Sequence, residues 1–318
     1  MGPMNSEPSE PTARLMLLDS ASLYFRAFFG VPDQRKDPAE PPTNAVRGFL
    51  DMVASLITTH QPTHFVACWD NDWRPQFRVD AIPTYKAHRL VDGSLVEEES
   101  PEDLTPQVPV IRDVLEALGI PRLGADGYEA DDVIGTLTAR HKAEMAVDVV
   151  TGDRDLFQLV DDQGPVRVIY TARGGVRDPD LVDEAFLRTK YAVASGAAYA
   201  DMAVLRGDTS DGLPGVAGIG EKTAAKLIER YGSLVALREA VDGGDPEIKG
   251  AQRTRLEAGA AYLDVAPMVV RVAPDAPVAS VDMALPTEVA DPVLMSRVAS
   301  EYGVTSSINR VLAALRIE

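Results

Sequence analysis

"MAVDVVTGDRD", from Met145 to Asp155, is a short apolar run, broken only by Asp148, that ends in a turn bearing two acids. The same design occurs twice upstream, in "LMLLDS" (Leu15 to Ser20) and "HFVACWD" (His64 to Asp70). Between these runs the apolar spacing becomes helical. Val46, Phe49, Leu50, Val53, Leu56 and Ile57 predict a helix over Thr43 to Thr59. Pro106 to Leu118, stopped by Gly119, predicts a second, and Glu129 to Arg140 a third. Short Val- and Leu-rich strands alternating with helices predict an α/β fold with a parallel-sheet core. In such a sheet, ligands bind beyond the carboxyl ends of the strands. Asp19, Asp70, Asp153 and Asp155 all fall at such ends.

The chain has 318 residues, enough for one large or two modest domains, and 45% of them are apolar. Cys68 is the single cysteine, which excludes a disulfide framework and a cysteine-based zinc cluster. No stretch is long and apolar enough to span a bilayer. "MGPMNSEPSEPTAR" has no apolar core and reads as a disordered leader over 1–14, so a cytoplasmic location is expected. The formal charge of -18 argues against general affinity for nucleic acid, so local patches decide that matter.

"GYEADDVIGTLTARH" (Gly127 to His141) adds Glu129, Asp131 and Asp132 at a helix start, and Asp208 and Asp211 follow in "LRGDTSDG". Like charges this close oppose one another unless a cation lies between them. Hard divalent ions such as Mg²⁺ and Mn²⁺ take oxygen ligands, and a pair of them can clamp a phosphodiester. The i,i+3 spacing puts Glu129 and Asp132 on one helical face, with Asp131 directed elsewhere nearby. Each signal alone has a plainer counterpart: acids favour a helix N-terminus, and Asp is a common turn residue. The joint pattern, with several acids ending strands of one sheet, favours a metal site. Phosphate chemistry of other kinds lacks its signature here. No GxxxxGK[ST] loop occurs, and no DxDxT follows the first strand.

"NDWRPQFRVDAIPTYKAHR" (Asn71 to Arg89) interleaves Arg74, Arg78, Lys86 and Arg89 with Trp73, Phe77 and Tyr85. Cations meet phosphates and aromatics stack on bases. Helical spacing would place Tyr85, Lys86 and Arg89 on one face; a basic surface helix is the plainer alternative. The acidic run "EEESPED" (Glu97 to Asp103) reads as a solvated loop that repels phosphates. "GLPGVAGIGEKTAAKLIERYG" has a helix–hairpin–helix shape, with Gly215, Gly218 and Gly220 in the turn. The following helix carries Lys222, Thr223 and Lys226 near an N-terminus able to receive a phosphate. Asp242 to Gly250 is expected to be a loop and "MVVRV" a strand.

Together "LLDSASLYFRAFF", "CWDNDWRPQFR", "YKAHR", "GYEADDVIGTLT", "TGDRDLFQLV" and "LRGDTSDGLPGVAGIGEKTAAKLI" resemble the bacterial and phage 5′-nuclease family of flap endonucleases and the 5′-nuclease part of DNA polymerase I. The match runs in order over most of Leu15 to Leu237. The resemblance implies a PIN-like α/β nuclease domain with a helical arch and a helix–three-turn–helix DNA-binding module. It implies that Asp19, Asp70, Glu129 and Asp131 hold one metal side, and that Asp132, Asp153, Asp155, Asp208 and Asp211 complete or support the other. Lys86 resembles the arch lysine near the scissile phosphate, with Arg89 beside it; Arg26 and Tyr85 match substrate-clamping positions. Arg74, Arg78 and the Gly-rich module are then DNA contacts, and the module's turn carbonyls hold K⁺. One departure is Gly212, where the family often has Asn.

The implied division is an α/β domain over 15–200, with the arch over about 71–103, and a second unit over 201–318. The expected chemistry is phosphodiester hydrolysis with two or more Mg²⁺ or Mn²⁺ ions. The expected partner is DNA with a 5′ flap, nick, gap or free 5′ end, with RNA–DNA hybrid as a further substrate, no membrane, and a monomeric enzyme. Chain end and motifs resemble a free-standing flap endonuclease. The rivals are a non-catalytic structure-specific DNA-binding module and an RNA-directed nuclease of the same metal-dependent type.

Overall fold

The computed structural model describes residues 13–318. Most of the expected leader thus lies outside the described residues, but its last member does not: Arg14 opens the first strand, β1 (Arg14–Asp19). The chain continues through α1 (Ser20–Gly30), α2 (Asn44–His60), β2 (His64–Cys68), α3 (Gln76–Ala81), α4 (Gln107–Leu118), β3 (Arg122–Leu123), α5 (Ala130–His141) and β4 (Ala146–Thr151). Next come β5 (Val166–Gly174), β6 (Asp178–Val182), α6 (Glu184–Tyr191) and α7 (Gly196–Arg206). The remainder is helical: α8 (Glu221–Tyr231), α9 (Leu234–Asp242), α10 (Gly250–Ala258), α11 (Ala260–Val270), α12 (Pro292–Glu301) and α13 (Thr305–Leu315).

The strands form one sheet in the order β3-β2-β1-β4-β5-β6. β1 pairs in parallel with both β2 and β4, and only β6 runs antiparallel, at the edge. The expectation of a parallel core therefore needs one correction, since the sheet is mixed. β1 reads as an unbroken apolar run because both of its faces are covered. Leu15 and Leu17 join the core under α5, while Met16 and Leu18 join the core under α2 and α4. The strand order reverses between β1 and β4, so a crevice opens beyond their carboxyl ends.

Two local readings are also corrected. "MVVRV" is not a strand: Met268 to Val270 form the last turn of α11. Leu263, Ala266 and Val269 are buried at three-residue spacing there, and that contact with the core outweighs the β-preference of valine. Tyr85, Lys86 and Arg89 do not share a helical face either. α3 ends at Ala81, Pro83 follows, and Lys86 adopts a left-handed conformation with φ 49° before a 3₁₀ turn over Ala87–Arg89. Proline's fixed ring denies the segment a continuous helix.

Candidate metal-binding cleft

The crevice at the sheet reversal is an open cleft of about 610 Å³ whose wall includes Asp19, Asp70, Glu129, Asp131, Asp153 and Asp208. Each is fixed by the local chain. Asp19 ends β1 and caps α1, accepting from Ser22 N at 3.1 Å; its other oxygen accepts from Thr151 Oγ1 at 2.6 Å. That second bond ties the ends of β1 and β4 together. Asp153 follows β4 and accepts from Asp155 N at 2.8 Å. Asp70, just beyond β2, accepts from Ala130 N at 2.8 Å in the first turn of α5. Asp208 caps the 3₁₀ turn over Thr209–Asp211. Asp155 and Asp211 sit slightly deeper, lining a cavity of about 20 Å³ that shares Glu129 and Asp131 with the main cleft.

Crowding and burial show in the proton affinities. Burial, with Asp70 and Asp153 nearby, raises Asp19 to about 7 despite its bonds to Thr151 and Ser22. Burial and the charges of Asp19, Asp153 and Glu129 hold Asp131 well above the usual carboxylate range. Burial together with Asp153, Asp211 and Asp208 does the same to Asp155. Asp208 goes the other way: bonds from Ser210 and Arg154 outweigh its burial and lower it.

Basic side chains meet some of these acids. Lys86 Nζ donates to Glu129 Oε1, and Arg89 donates to Asp211 Oδ1 at 2.6 Å. Burial would depress Lys86, but Glu129, Tyr85, Asp211 and Asp131 hold its pKa well above the ordinary lysine value. The Lys86 amide donates to Asp211 O at 2.9 Å, and Thr84 Oγ1 donates to Gly212 O at 2.8 Å. The segment around Thr84–Arg89 is thereby docked on the Asp208–Leu213 loop. Gly212 stands at that seam with φ +71°, and a Cβ there would fall 2.1 Å from Thr84 O.

The oxygen-only donor set suits hard divalent cations. Among the described residues no three ligating side chains already surround one point. The carboxylates nonetheless fit such ions. Asp155 Oδ1 is buried with no hydrogen-bond partner and with Arg206 Nη2 only at 3.9 Å, so it is an acceptor that a bound cation would satisfy.

Two family descriptions match this chain almost from end to end: 5′-3′ exonuclease, N-terminal resolvase-like domain, over residues 14–192, and 5′-3′ exonuclease, C-terminal SAM fold, over residues 194–291. The chain belongs to the 5′-3′ exonuclease family. It is 55% identical over 303 residues to a 5′-3′ exonuclease of Streptomyces coelicolor, covering 94% of this chain and 99% of that one. A 5′-3′ exonuclease of Mycobacterium tuberculosis is 48% identical over 314 residues, covering 95% and 97%. Among solved structures, the T5 D15 protein co-crystallised with metal ions superposes with a TM-score of 0.62 at 16% identity, covering 95% of this chain and 98% of that one. At that identity the likeness speaks for the fold.

Several residues of this 5′-3′ exonuclease chain stand elsewhere than expected. Asp132 does not face the cleft. It is fully buried, and its oxygens accept from both Arg78 terminal nitrogens, from Glu129 N and from Ala273 N. Asp131, one residue earlier, is the acid that reaches the cleft. Glu129 and Asp132 do lie together, as their spacing predicts, sharing Arg78 Nη1, but they are joined in a reciprocal capping box that turns Asp132 back onto the helix start and away from the cleft. Arg78 is not a DNA contact. It is 2% exposed, paired with Glu129 at 2.5 Å and Asp132 at 2.6 Å. Tyr85 is buried as well, and its hydroxyl donates to Glu129 at 2.6 Å. Arg74 is turned inward, donating to the carbonyls of Tyr85 at 2.6 Å and Pro83 at 2.9 Å. Arg26 lies beside the cleft, donating to Ala172 O at 3.3 Å.

The Gly-rich turn joins α7 to α8, with Gly215 and Gly218 at φ +65° and +77° and Gly220 capping α8. Lys222 and Lys226 are exposed one helical turn apart, and Thr223 lies half-buried between them. Sequence reading missed Tyr24, Phe25, Arg154 and Tyr170 on the cleft wall, and Arg206 behind it, while Trp73, singled out for base stacking, does line the cleft. Phe25 lies within the first two turns after Asp19, and Arg154 lies inside "GDRD", so proximity to the acids was the available signal.

Proposed function

We propose that this chain is a divalent-metal-dependent nuclease that hydrolyses DNA at 5′ ends and 5′ flaps, nicks and gaps, in replication and repair. The observation that carries the reading is the convergence of Asp19, Asp70, Glu129, Asp131 and Asp153 at the sheet reversal, in a chain of the 5′-3′ exonuclease family. Asp19, Asp70, Glu129 and Asp131 are the ligands on one side; Asp153, Asp155, Asp208 and Asp211 serve the other. Mg²⁺ or Mn²⁺ held there supplies Lewis acidity toward phosphate and a water of lowered pKa. A T5 flap endonuclease of the same fold, seen in a pseudo-enzyme-product complex with DNA and metal ions, supports the reading.

The chain's own groups do the positioning. Lys86 and Arg89 cover Glu129 and Asp211, and both line the cleft. A phosphate entering there gains two cations exactly matched in sign to the charge that builds up on its oxygens. Phe25, Trp73 and Tyr170 offer ring faces to unpaired bases, whichever base arrives. Unpaired nucleotides cost less to extract than paired ones, which favours flaps over intact duplex. The turn between α7 and α8, with exposed Lys222 and Lys226, is the helix–three-turn–helix contact for duplex backbone and the place for K⁺. Thr84–Arg89 belongs to the arch, over about 71–103, of a PIN-like domain over 15–200, with 201–318 as the second unit. Backbone contacts admit RNA–DNA hybrids as substrates, and the enzyme acts as a monomer.

The test is cleavage of a 5′-labelled flap duplex, beside blunt duplex and single strand, over a titration of Mg²⁺ and Mn²⁺. The expected result is metal-dependent cutting that favours the flap and stops in EDTA. Tight flap binding with no cutting at any metal concentration would return the protein to the class of non-catalytic DNA-binding modules.

A further inference from the structure

"TARGGVRD", Thr171 to Asp178, is the tip of the β5–β6 hairpin, and it carries Arg173 and Arg177 in a chain of net charge -18. Both are exposed, and neither has a carboxylate or hydrogen-bond partner among the described residues. That sets them apart from most arginines of this protein. Arg14 pairs with Asp148, Arg35 with Asp103, Arg188 with Glu184 and Arg310 with Asp51. Asp178 and Asp180 follow closely in the sequence, yet neither pairs with Arg177.

The backbone of the hairpin is well fixed. Gly174 lies opposite Asp178, where a Cβ would come 1.9 Å from Asp178 O, so the strands close tightly. Gly175 N donates to Thr171 O at 3.0 Å, and Val176 is buried in the core beneath. Arg26 of α1 donates to Ala172 O at 3.3 Å, and its guanidinium lies against Gly175. The base of the hairpin is part of the cleft: Tyr170 forms its wall, and the charge of Arg173 reaches the Tyr170 phenol. The hairpin tip that carries Arg173 and Arg177 thus begins directly after Tyr170 on the cleft wall, with Arg26 packed against it; of these three arginines the family resemblance implied a substrate contact for Arg26 alone.

We propose that the β5–β6 hairpin is a further backbone clamp, in which Arg173 and Arg177 bind phosphates of the nucleic-acid strand that passes over the α1 side of the cleft. The guanidinium fork matches phosphate oxygens, and an unpaired group loses no ion pair on binding. A hairpin pinned to the core and to α1 gives up little freedom when it binds. The contact reads no sequence. It rests on the reading that this cleft takes DNA.

The experiment uses the full chain with the double substitution Arg173→Ala/Arg177→Ala, and Arg173→Lys/Arg177→Lys beside it. Binding of a labelled 5′-flap duplex is followed by anisotropy in Ca²⁺ across a range of KCl. Loss of two phosphate contacts should make the log–log salt slope shallower by about two and weaken binding by about tenfold at ~100 mM salt. The lysine pair should keep the slope and recover part of the affinity, since the charge remains and the fork is lost. Cleavage should show the defect in the enzyme concentration needed for half-saturation more than in the rate at saturation. Wild-type slope and affinity in the alanine variant would overturn the proposal while wild-type cleavage still upholds the nuclease reading. Failure of the wild-type protein itself to bind the flap would overturn both.

Discussion

Arg78→Met tests whether Arg78 is internal structure or a DNA contact. In the folded chain Arg78 Nη1 lies 2.5 Å from Glu129 Oε2, and Nη2 lies 2.6 Å from Asp132 Oδ1. Its Nε donates to Val269 O at 3.0 Å, which links the segment before the cleft to α11. Methionine fills much of the same volume but leaves Asp132 buried without its counterion, and Glu129 with Lys86 as its one cation beside the Tyr85 hydroxyl. Removing one partner of a buried pair costs about 3–5 kcal/mol, and an unsatisfied carbonyl adds about 1–3 kcal/mol. Allowing for relaxation, a loss of about 4 kcal/mol is expected, a large share of a typical domain's ~5–15 kcal/mol. Urea denaturation in EDTA, followed by far-UV circular dichroism, measures it. Arg78→Met/Asp132→Asn should be less destabilised than the sum of its single changes, by about 1–3 kcal/mol, because the two residues interact directly. Arg78→Lys should recover part of the stability, having charge without the two-pronged geometry. An unchanged urea midpoint for Arg78→Met, combined with weakened DNA binding, would refute this reasoning and restore Arg78 as a surface contact.

Other consequences follow from the same geometry. Asp19 is raised to about 7 chiefly by burial, so the folded state holds a proton that the unfolded chain releases near 4. Metal-free protein should therefore lose stability as pH rises from about 4 through about 7, and Mg²⁺ should restore more at pH ~8 than at pH ~5; thermal melts with EDTA or Mg²⁺ measure both, and a flat metal-free profile would contradict it. Gly212→Ala should push the Asp208–Leu213 loop off Thr84, since its Cβ would meet Thr84 O at 2.1 Å at a positive φ. A drop of at least about tenfold in cleavage is expected, with metal affinity falling in parallel by calorimetry. Lys86→Ala should lower the single-turnover rate at saturating enzyme more than it weakens flap binding in Ca²⁺, since a cation at the reacting phosphate acts mainly where charge develops. Weaker binding with a full rate at saturation would make Lys86 an electrostatic guide only.

The acids at strand ends were legible because the strands that carry them are buried on both faces, so their ends are marked by the first polar residues. Asp19, Asp70 and Asp153 are of this kind. The split between Asp131 and Asp132 was harder, because neighbouring helix positions differ by about 100° and the phase depends on where the helix begins. Glu129 followed three residues later by Asp132 is itself a capping-box spacing, and reading it so would have sent Asp132 inward. Arg78 misled for a general reason: a basic residue amid aromatics looks the same in sequence whether it faces phosphate or a buried carboxylate. Pro83 was the signal that "IPTYKAHR" would turn rather than run as a helix. "MVVRV" was ambiguous, since short apolar runs suit strand and buried helix alike. Arg173 and Arg177 became visible only when the fold set their hairpin beside Tyr170 and Arg26.

The most direct test of the metal-centred account is the single-turnover rate of flap cleavage by Asp153→Asn and Asp131→Asn at saturating enzyme and limiting Mg²⁺. Each substitution removes one carboxylate charge from the cleft and leaves its shape. Both variants should fold, melting in EDTA at or above the wild-type temperature as like-charge repulsion is relieved. Both should cut the flap at least about a hundredfold more slowly, with weaker Mg²⁺ dependence. Folded variants that cut at the wild-type rate at limiting Mg²⁺ would contradict the account at its centre.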